Sequence, residues 1–578
     1  MSEITFSEKK RDSCTRFAEK PEEFRIAIVG GGPRGLYCLQ SLHERLREAD
    51  PVTLRSSVIV FEPASFPGAG NIYDPGQPHH LRMNFSAGRI DAWPRSEGDI
   101  KANSSKLTLV DWLQQRTPGR FNEHSYVPRA IVGEYLHECY RHIEEQLQCC
   151  VNFRTVQSPV TGMDRLGTRW RLNASGEEYE FDEVVLTVGH EGWRAPPVED
   201  DSCIDRLVRV FPVTQQLAMS RTPSGQVVGV RGFGLTWIDA ALSLTEGRGG
   251  HFHQNNGRWH YQPSGREPAT IIPFSRTGRP MVAKPDESRF VQPPELNDVW
   301  NGGRQRIIEV SRSSESIRTA EELWEPVLEA AAAALNVFSA GAPTGSESVR
   351  NWFDRWVGSK IDGDAAFSVM QKSYCVATGQ AAPEISWALG AAWRNLYPAI
   401  VSAVSHGGLN PAAWSDFREI TCEMERIAFG PPAENLGRIL ALCEADLVDL
   451  NYLTASLNAS KDTLLLSTTK SEVMLDACVN AVIPSPQQIS PQGPMRQLLD
   501  AGMISRRSGA EGIDVDRAGR PMRDGLRLTE NLAIFGRATE GCILGNDTLS
   551  RKLHEHPRHW AREVVARMHA RRKLDVGP

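Results

Sequence analysis

The chain has 578 residues, 40% of them hydrophobic and 24% charged, the balance of a globular protein of roughly two or three domains. Its formal charge of −6, with Lys and Arg scattered rather than massed, argues against nucleic acid or an anionic membrane as partner. No uncharged apolar run of about 18 residues exists to span a bilayer, and the eleven cysteines form neither a disulfide framework nor a C-x-x-C pair, so a cytoplasmic protein with reduced thiols is expected.

Residues 1–22 are polar, lack the apolar centre of a secretion signal and read as a flexible arm. At Phe24 a β-rich run, "FRIAIV", meets Gly30, Gly32 and Gly35 in G-x-G-x-x-G spacing, and a helical pattern follows. Gly30 permits the tight turn, Gly32 lets backbone approach a pyrophosphate, and Gly35 lets helix and strand pack closely. The next strand, "SVIVFEP", ends in Glu62. A carboxylate there accepts both ribose hydroxyls and repels a 2′-phosphate, so FAD or NAD fits better than NADP.

After Glu62 a long Gly- and Pro-rich loop carries Gln77, Arg82 and Asn84, candidates to line the flavin ring or members of an ordered surface loop. His79 and His80 point apart in extended chain, and neither "HFH" at 251–253 nor "HEHPRH" at 554–559 forms a convincing ligand set, so no metal is expected. Pro128 and Arg129 open a further helix, and Arg129 is a candidate at the first cofactor. "FDEVVLTVGHEG" reads as a buried strand returning to that cofactor at Gly189.

A second strand and turn follow at "VVGVRGFGLTW", with Gly232 and Gly234. Trp237 stands where a third small residue is usual, and the turn alone is also compatible with a plain crossover. The next strand, Thr270 to Phe274, ends in Ser275, Arg276 and Arg279. Cations and a hydroxyl suit a 2′-phosphate, so the second dinucleotide is expected to be NADPH.

From about Ile317 to Leu453 the spacing is helical and Ala-rich. "SEVMLDACVNAVIPSP" reads as one apolar strand returning the chain to the first domain. Near the end, "NLAIFGRATEGCILGNDTLS" reads as a strand ending at Gly536, a Gly-rich loop, and a helix starting at Asp547 or Thr548. That helix start would offer N–H groups to a reduced flavin; Asn546 or Asp547 is equally explained as its N-cap. The expected fold is α/β: a FAD domain over 23–220 and 485–578, an NADPH domain from 221 to 310, a largely helical insertion over 311–465 and a return strand within 466–484.

The motifs "IVGGGPRG", "LRMNF", "IDAWPR", "GFGLTWID", "FSRTGRP" and "RIAFGPPAENLGRILAL" together resemble the FAD/NAD(P)-binding relatives of class B flavin monooxygenases. Within them, length and motif order resemble the nitrosuccinate-forming L-aspartate N-monooxygenases of natural-product pathways. The resemblance implies FAD phosphates at Gly30, Gly32, Pro33, Arg34 and Gly35, its ribose at Glu62, and NADPH around Gly232, Gly234, Thr236, Ser275, Arg276 and Arg279. It implies an NADPH- and O₂-dependent N-hydroxylation of a primary amine through a C4a-(hydro)peroxyflavin. No catalytic acid–base dyad is required, and none is found.

An aspartate-like substrate needs cations, for which Lys284, Arg289 and Arg394 are candidates, each also explicable as an ordinary surface or cofactor cation. A disulfide reductase would need a redox cysteine pair that is absent. A non-catalytic dinucleotide-binding scaffold would have no need of Arg276 and Arg279.

Overall fold

A computed structural model describes residues 23–576 except 50–54, 94–105, 190–205, 314–315, 340, 461–462, 486–488, 490–492, 547 and 552. The expected N-terminal arm and Asp547 lie outside the described residues.

The first unit opens with β1 (Phe24–Val29), α1 (Pro33–Glu48) and β2 (Ser56–Phe61), then α2 (Leu109–Arg116), α3 (Arg129–Gln148) and β3 (Asn152–Val156). An antiparallel meander follows, β4 (Val160–Leu166), β5 (Arg169–Ala174) and β6 (Glu177–Phe181), before β7 (Glu183–Leu186) re-enters the main sheet. The second unit holds β8 (Leu207–Arg209), α4 (Val213–Gln216), β9 (Val227–Arg231), α5 (Leu235–Leu244), the hairpin β10 (His251–Asn255) and β11 (Arg258–Gln262), and β12 (Thr270–Phe274). Seven helices come next: α6 (Leu296–Ser313), α7 (Glu321–Phe338), α8 (Ser346–Gly358), α9 (Gly363–Ala377), α10 (Ile385–Val404), α11 (Trp414–Ala428) and α12 (Ala433–Glu444). The chain ends with β13 (Ser456–Ala459), β14 (Leu464–Ser467), β15 (Glu472–Met474), β16 (Ala477–Asn480), α13 (Pro494–Asp500), the short pair β17 (Met522–Arg523) and β18 (Leu526–Arg527), β19 (Leu532–Ile534) and α14 (His556–Val576).

Two parallel sheets organise these elements. The first has the order β19-β7-β1-β2-β3, the second β12-β9-β16-β8. In both, a strand–Gly turn–helix unit lies at the point where strand order reverses, the crevice where open α/β sheets take ligands. The strands of the first sheet read as continuous apolar runs because helices cover one face and the meander covers the other; Ile26, Ile28, Val58 and Val60 are buried with α1, α3 and α14, and Ala27, Ile59 and Phe61 with the meander.

Three boundaries differ from expectation. The helical stretch begins at Leu296, just after Pro293 and Pro294, and not after 310; α6 packs closely on α10, where a Cβ on Gly303 would lie 2.8 Å from Leu396. It ends at Glu444, and strand β13 and the start of β14 fall within the 311–465 segment expected to be largely helical. The expected single return strand is two, broken at Asp476, whose carboxylate accepts from the Val227 amide at 2.8 Å. Its second part, β16, joins the second sheet and not the first.

Candidate dinucleotide sites and a cationic cluster

Gly30 adopts φ +101°, and a Cβ on it would lie 2.5 Å from the Thr187 carbonyl oxygen. A Cβ on Gly35 would lie 2.3 Å from the Gly30 oxygen. Both glycines are therefore demanded by the fold itself. Gly32 is different: it has ordinary φ, and its nearest neighbour would be the Gly70 Cα at 3.6 Å. The protein has room for a side chain there, and the bare backbone suits an occupant outside the chain. Gly32 caps α1 without any side-chain hydrogen bond, and Pro33 opens the helix. The first amides of α1 thus remain for an anion.

Glu62 stands at the end of β2, buried, accepting from the amides of Gly31 at 2.6 Å and Ala64 at 2.9 Å. Burial raises its pKa, against those two hydrogen bonds. Arg34 reaches from α1 to the carbonyls of Asn546 at 2.6 Å and Thr548 at 3.0 Å, and Gly536 approaches its side chain. The end of the chain is thereby tied to the first turn, as expected. No helix starts there, however. The Asn546 side chain donates from Nδ2 to Thr539 Oγ1 and the Ile543 carbonyl, closing a loop, and α14 begins only at His556, with Pro557 in its first turn. The expected helix-end contact to a flavin at Asn546 or Thr548 is therefore replaced by loop backbone.

The second turn repeats the first. Gly232 adopts φ +117°, and Gly234 caps α5 with no atom nearer its would-be Cβ than Met281 sulfur at 4.0 Å. Thr236 is buried in the first turn of α5. Trp237 stacks on Phe233, ring centres 5.2 Å apart, which explains a large residue where a small one is usual. Beyond β12, Ser275 Oγ accepts from the Gly278 amide at 3.1 Å and keeps its O–H to donate. Arg276 is exposed, and Arg279 is not. The Arg279 guanidinium is buried against Glu423 at 2.7 and 3.1 Å and donates to the carbonyls of Val357 and Ser359. It anchors α8 and α11 and does not face a 2′-phosphate. The sequence reading missed Val482 and Ile483, half-exposed just after β16 and beside Gly232; the apolar pair "VI" after a strand was the available signal.

Among the loop candidates, Gln77 closes its own loop through the Ile72 carbonyl at 2.9 Å. Arg82 and Arg129 are drawn away from their own unit: Arg82 pairs with Glu434 of α12 at 3.3 Å, Arg129 with Asp239 of α5 at 2.8 Å. His80 adds a bond to Ser243 at 2.8 Å. Arg82, Arg129 and His80 thus tie the first unit to α5 and α12.

Asn84 opens onto the cations. Lys284 donates to the Asn84 carbonyl and lies 4.4 Å from the Phe85 ring centre and 5.6 Å from that of Phe429. Burial first, then the charges of Arg394 and Arg89, holds its pKa well below the ordinary lysine value. So enclosed, Lys284 is a tether for the Asn84 loop and not a free carboxylate clamp. Arg394, partly exposed, donates to the Ala428 carbonyl at 2.8 Å; burial and Arg89 bring its pKa down to about 10. Arg89 pairs with Glu287 at 2.6 Å, and Tyr126 sits within the field of both arginines and Glu287, its pKa pushed up to about 12 by burial. Arg289 lies apart, exposed and paired with Asp286 at 3.4 Å. Sequence reading had no signal for Arg89, which joins the cluster only through the fold.

Among the described residues no group of three or more His, Cys, Asp or Glu is placed to hold a metal ion, and no helix is long and apolar enough to cross a membrane.

The chain is similar to several known proteins. The chain is 30% identical over 300 residues to the L-aspartate N-monooxygenase (nitrosuccinate-forming) of Streptomyces cremeus, a match covering 46% of this chain and 44% of that one. It is 26% identical over 321 residues to a nitrosuccinic acid synthase of Aspergillus oryzae, covering 52% and 47%. The matched parts span less than half the length of these relatives. Among solved structures, L-lysine 6-monooxygenase from Pseudomonas syringae aligns over 95% of this chain and 100% of that one, at 13% identity and a TM-score of 0.45. Residues 27–191, which hold the first turn, match the family model described as FAD-NAD(P)-binding.

Proposed function

We propose that the protein is an NADPH-dependent flavin N-monooxygenase acting on the primary amine of a small acidic amino acid, with L-aspartate the leading substrate and nitrosuccinate its fully oxidised product. The observation that carries this reading is the cluster of Arg89 and Arg394 around Tyr126, beside the Asn84–Phe85 loop. Among the described residues Arg89 is bonded to Glu287, whereas Arg394 donates to the Ala428 carbonyl and so keeps its charge for a substrate carboxylate. The names of the relatives support the same class.

In this reading FAD, reduced by NADPH, supplies the oxygen chemistry. Gly30, Gly32, Gly35 and the α1 amides hold its pyrophosphate, and Glu62 holds its ribose. Ser275 and Arg276 hold the NADPH 2′-phosphate. Arg394 and Arg89 bind carboxylate oxygens by charge-assisted hydrogen bonds and fix the distance from carboxylate to amine. Phe85 and Phe429 keep the Lys284 side of the cluster dry.

The test is NADPH-dependent O₂ uptake with product mass. L-aspartate is expected to stimulate uptake and give an N-oxidised four-carbon diacid. Glutamate is expected to be poor because its extra methylene displaces the amine, and asparagine because it leaves a cation without its anion. The rate is expected to rise with pH, since only the neutral amine is nucleophilic. Equal turnover of all three would reject the two-carboxylate pocket.

A further inference from the structure

One face of α1 carries enclosed polar groups without partners. Tyr37, Gln40, Ser41 and Glu44 recur three or four residues apart and so share that face. Gln40 is 2% exposed and Ser41 1%. Among the described residues neither polar atom of the Gln40 side chain has a hydrogen-bond partner, nor has the Ser41 hydroxyl. A serine within a helix commonly bonds the carbonyl four residues before it; Ser41 does not. Buried side chains of this kind are ordinarily satisfied, and apolar residues would fill the same space without loss.

Arg551 closes over this face. Its guanidinium carbon lies 4.3 Å from the Tyr37 ring centre, and that of Arg34 lies 5.8 Å from the same ring. Arg34 is committed to the carbonyls of Asn546 and Thr548, and the Tyr37 hydroxyl donates to the Leu549 carbonyl at 3.0 Å. Arg551 is half-buried, and among the described residues its guanidinium has neither a hydrogen-bond acceptor nor a carboxylate within ion-pair distance. Burial holds its pKa below the ordinary arginine value; the fields of Tyr37 and Glu44 oppose that shift, and Arg558 adds to it. Helix side chains lean toward the N-terminus. Gln40 and Ser41 therefore lean over the turn that bears the Tyr37 ring, where the guanidinium sits.

We propose that Arg551, Ser41 and Gln40 form a binding site for a small monoanion of chloride size, enclosed between α1 and the segment from Asn546 to Arg551. The guanidinium, the Ser41 hydroxyl and the Gln40 amide nitrogen are its donors. One guanidinium supplies one positive charge, and Glu44 beside it disfavours a dianion. Enclosure favours a small, weakly hydrated ion over phosphate. Water alone would satisfy Ser41 and Gln40 but leave the charge of Arg551 unmatched. The site is separate from the start of α1, because Ser41 stands nine residues beyond Gly32, about 13 Å along the helix axis. The segment that brings Arg551 also holds Arg34, so the bound ion fastens that segment to α1.

The test is the melting temperature of the full chain at fixed ionic strength as chloride replaces gluconate, which is too large to be enclosed. An ion bound only by the folded state stabilises it in a saturable way, so the melting temperature of wild type is expected to rise with chloride and level off. Arg551→Met is expected to abolish the dependence. Ser41→Ala keeps the charge and is expected to need about three-fold more chloride, or above, for the same rise. Crystals soaked in bromide are expected to show an anomalous peak between Arg551 and Ser41. A melting temperature indifferent to chloride in wild type overturns the site, as does a dependence undiminished in Arg551→Met or an unchanged chloride requirement in Ser41→Ala. Should Arg551→Met fail to fold, Ser41→Ala and the bromide peak decide, and absence of that peak counts against the site. None of these readings involves turnover, so they stand apart from the monooxygenase proposal.

Discussion

Single residues separate what the fold needs from what a ligand needs. A Cβ on Gly32 meets only ordinary contact at 3.6 Å, whereas one on Gly35 meets a carbonyl oxygen at 2.3 Å. Gly32→Ala is expected to melt like wild type as apoprotein and to hold FAD at least ten-fold more weakly, read from flavin absorbance per protein. Gly35→Ala is expected to lower the melting temperature of the apoprotein itself. The two arginines after β12 divide in the same way. Arg276→Ala removes a charge-assisted phosphate contact worth roughly 1.5–3 kcal/mol, so NADPH affinity is expected to fall about ten-fold or more while NADH affinity holds. Arg279→Ala leaves Glu423 buried without its ion pair, with only the Trp356 indole at 3.1 Å and the nearby Arg426 to answer it. Breaking a buried pair costs about 3–5 kcal/mol, and urea unfolding is expected to show that loss with no selectivity between coenzymes.

At the scale of elements, α10 is the helix on which the site depends. It carries Arg394 toward the Asn84–Arg89 loop and, one turn on, Tyr397 against Gly545. Its apolar face, with Trp387, Trp393, Leu396 and Ile400, packs into the core of the helical region, so the two polar residues are held by a rigid body. Arg394→Ala is expected to raise KM for aspartate at least ten-fold, with FAD content unchanged. Lysine at the same position should recover part of the loss, because it restores charge but not the planar fork. A KM that stays put in steady-state assays would remove Arg394 from the substrate.

At the scale of the molecule, the first unit is joined to α5 of the second unit and to α12 by a partly buried polar seam. It runs from His80 and Ser243 through Arg129 and Asp239 to Arg82, Glu434 and Arg438. Asp239→Asn is expected to slow flavin reduction by NADPH in anaerobic stopped-flow mixing, with the flavin content retained, because the seam sets the approach of one turn to the other. The seam also sets an acid limit. Burial, then Arg438, Arg129 and Arg82, lowers the His80 pKa to about 4. The folded state thus binds fewer protons than the unfolded chain below the usual histidine pKa of about 6.5. The stability it contributes is complete above that pH and is lost as pH falls toward 4, by up to roughly 3 kcal/mol. Melting temperature against pH should be flatter over that window in His80→Gln.

What the sequence determined by itself was local. Two Gly turns, each between an apolar strand and a helix, can be read because a tight turn, a positive φ and a close helix approach make their demands within about ten residues. Glu62 and Arg276 were legible for the same reason, each following directly on its strand. The destinations of the other cations were not. Arg279 meets Glu423, Arg129 meets Asp239, Lys284 meets Asn84, and Arg34 meets Asn546, pairs separated by about one hundred to five hundred residues. The start of α14 was hidden likewise, since Asn546 makes a cap signal in sequence but folds back on Thr539 in space. A charged side chain settles where desolvation is best repaid by a partner, and which partner lies within reach is fixed by the packing of whole elements. The sequence therefore named the two Gly turns, and only the tertiary structure decided which arginines are taken up by partners within the fold.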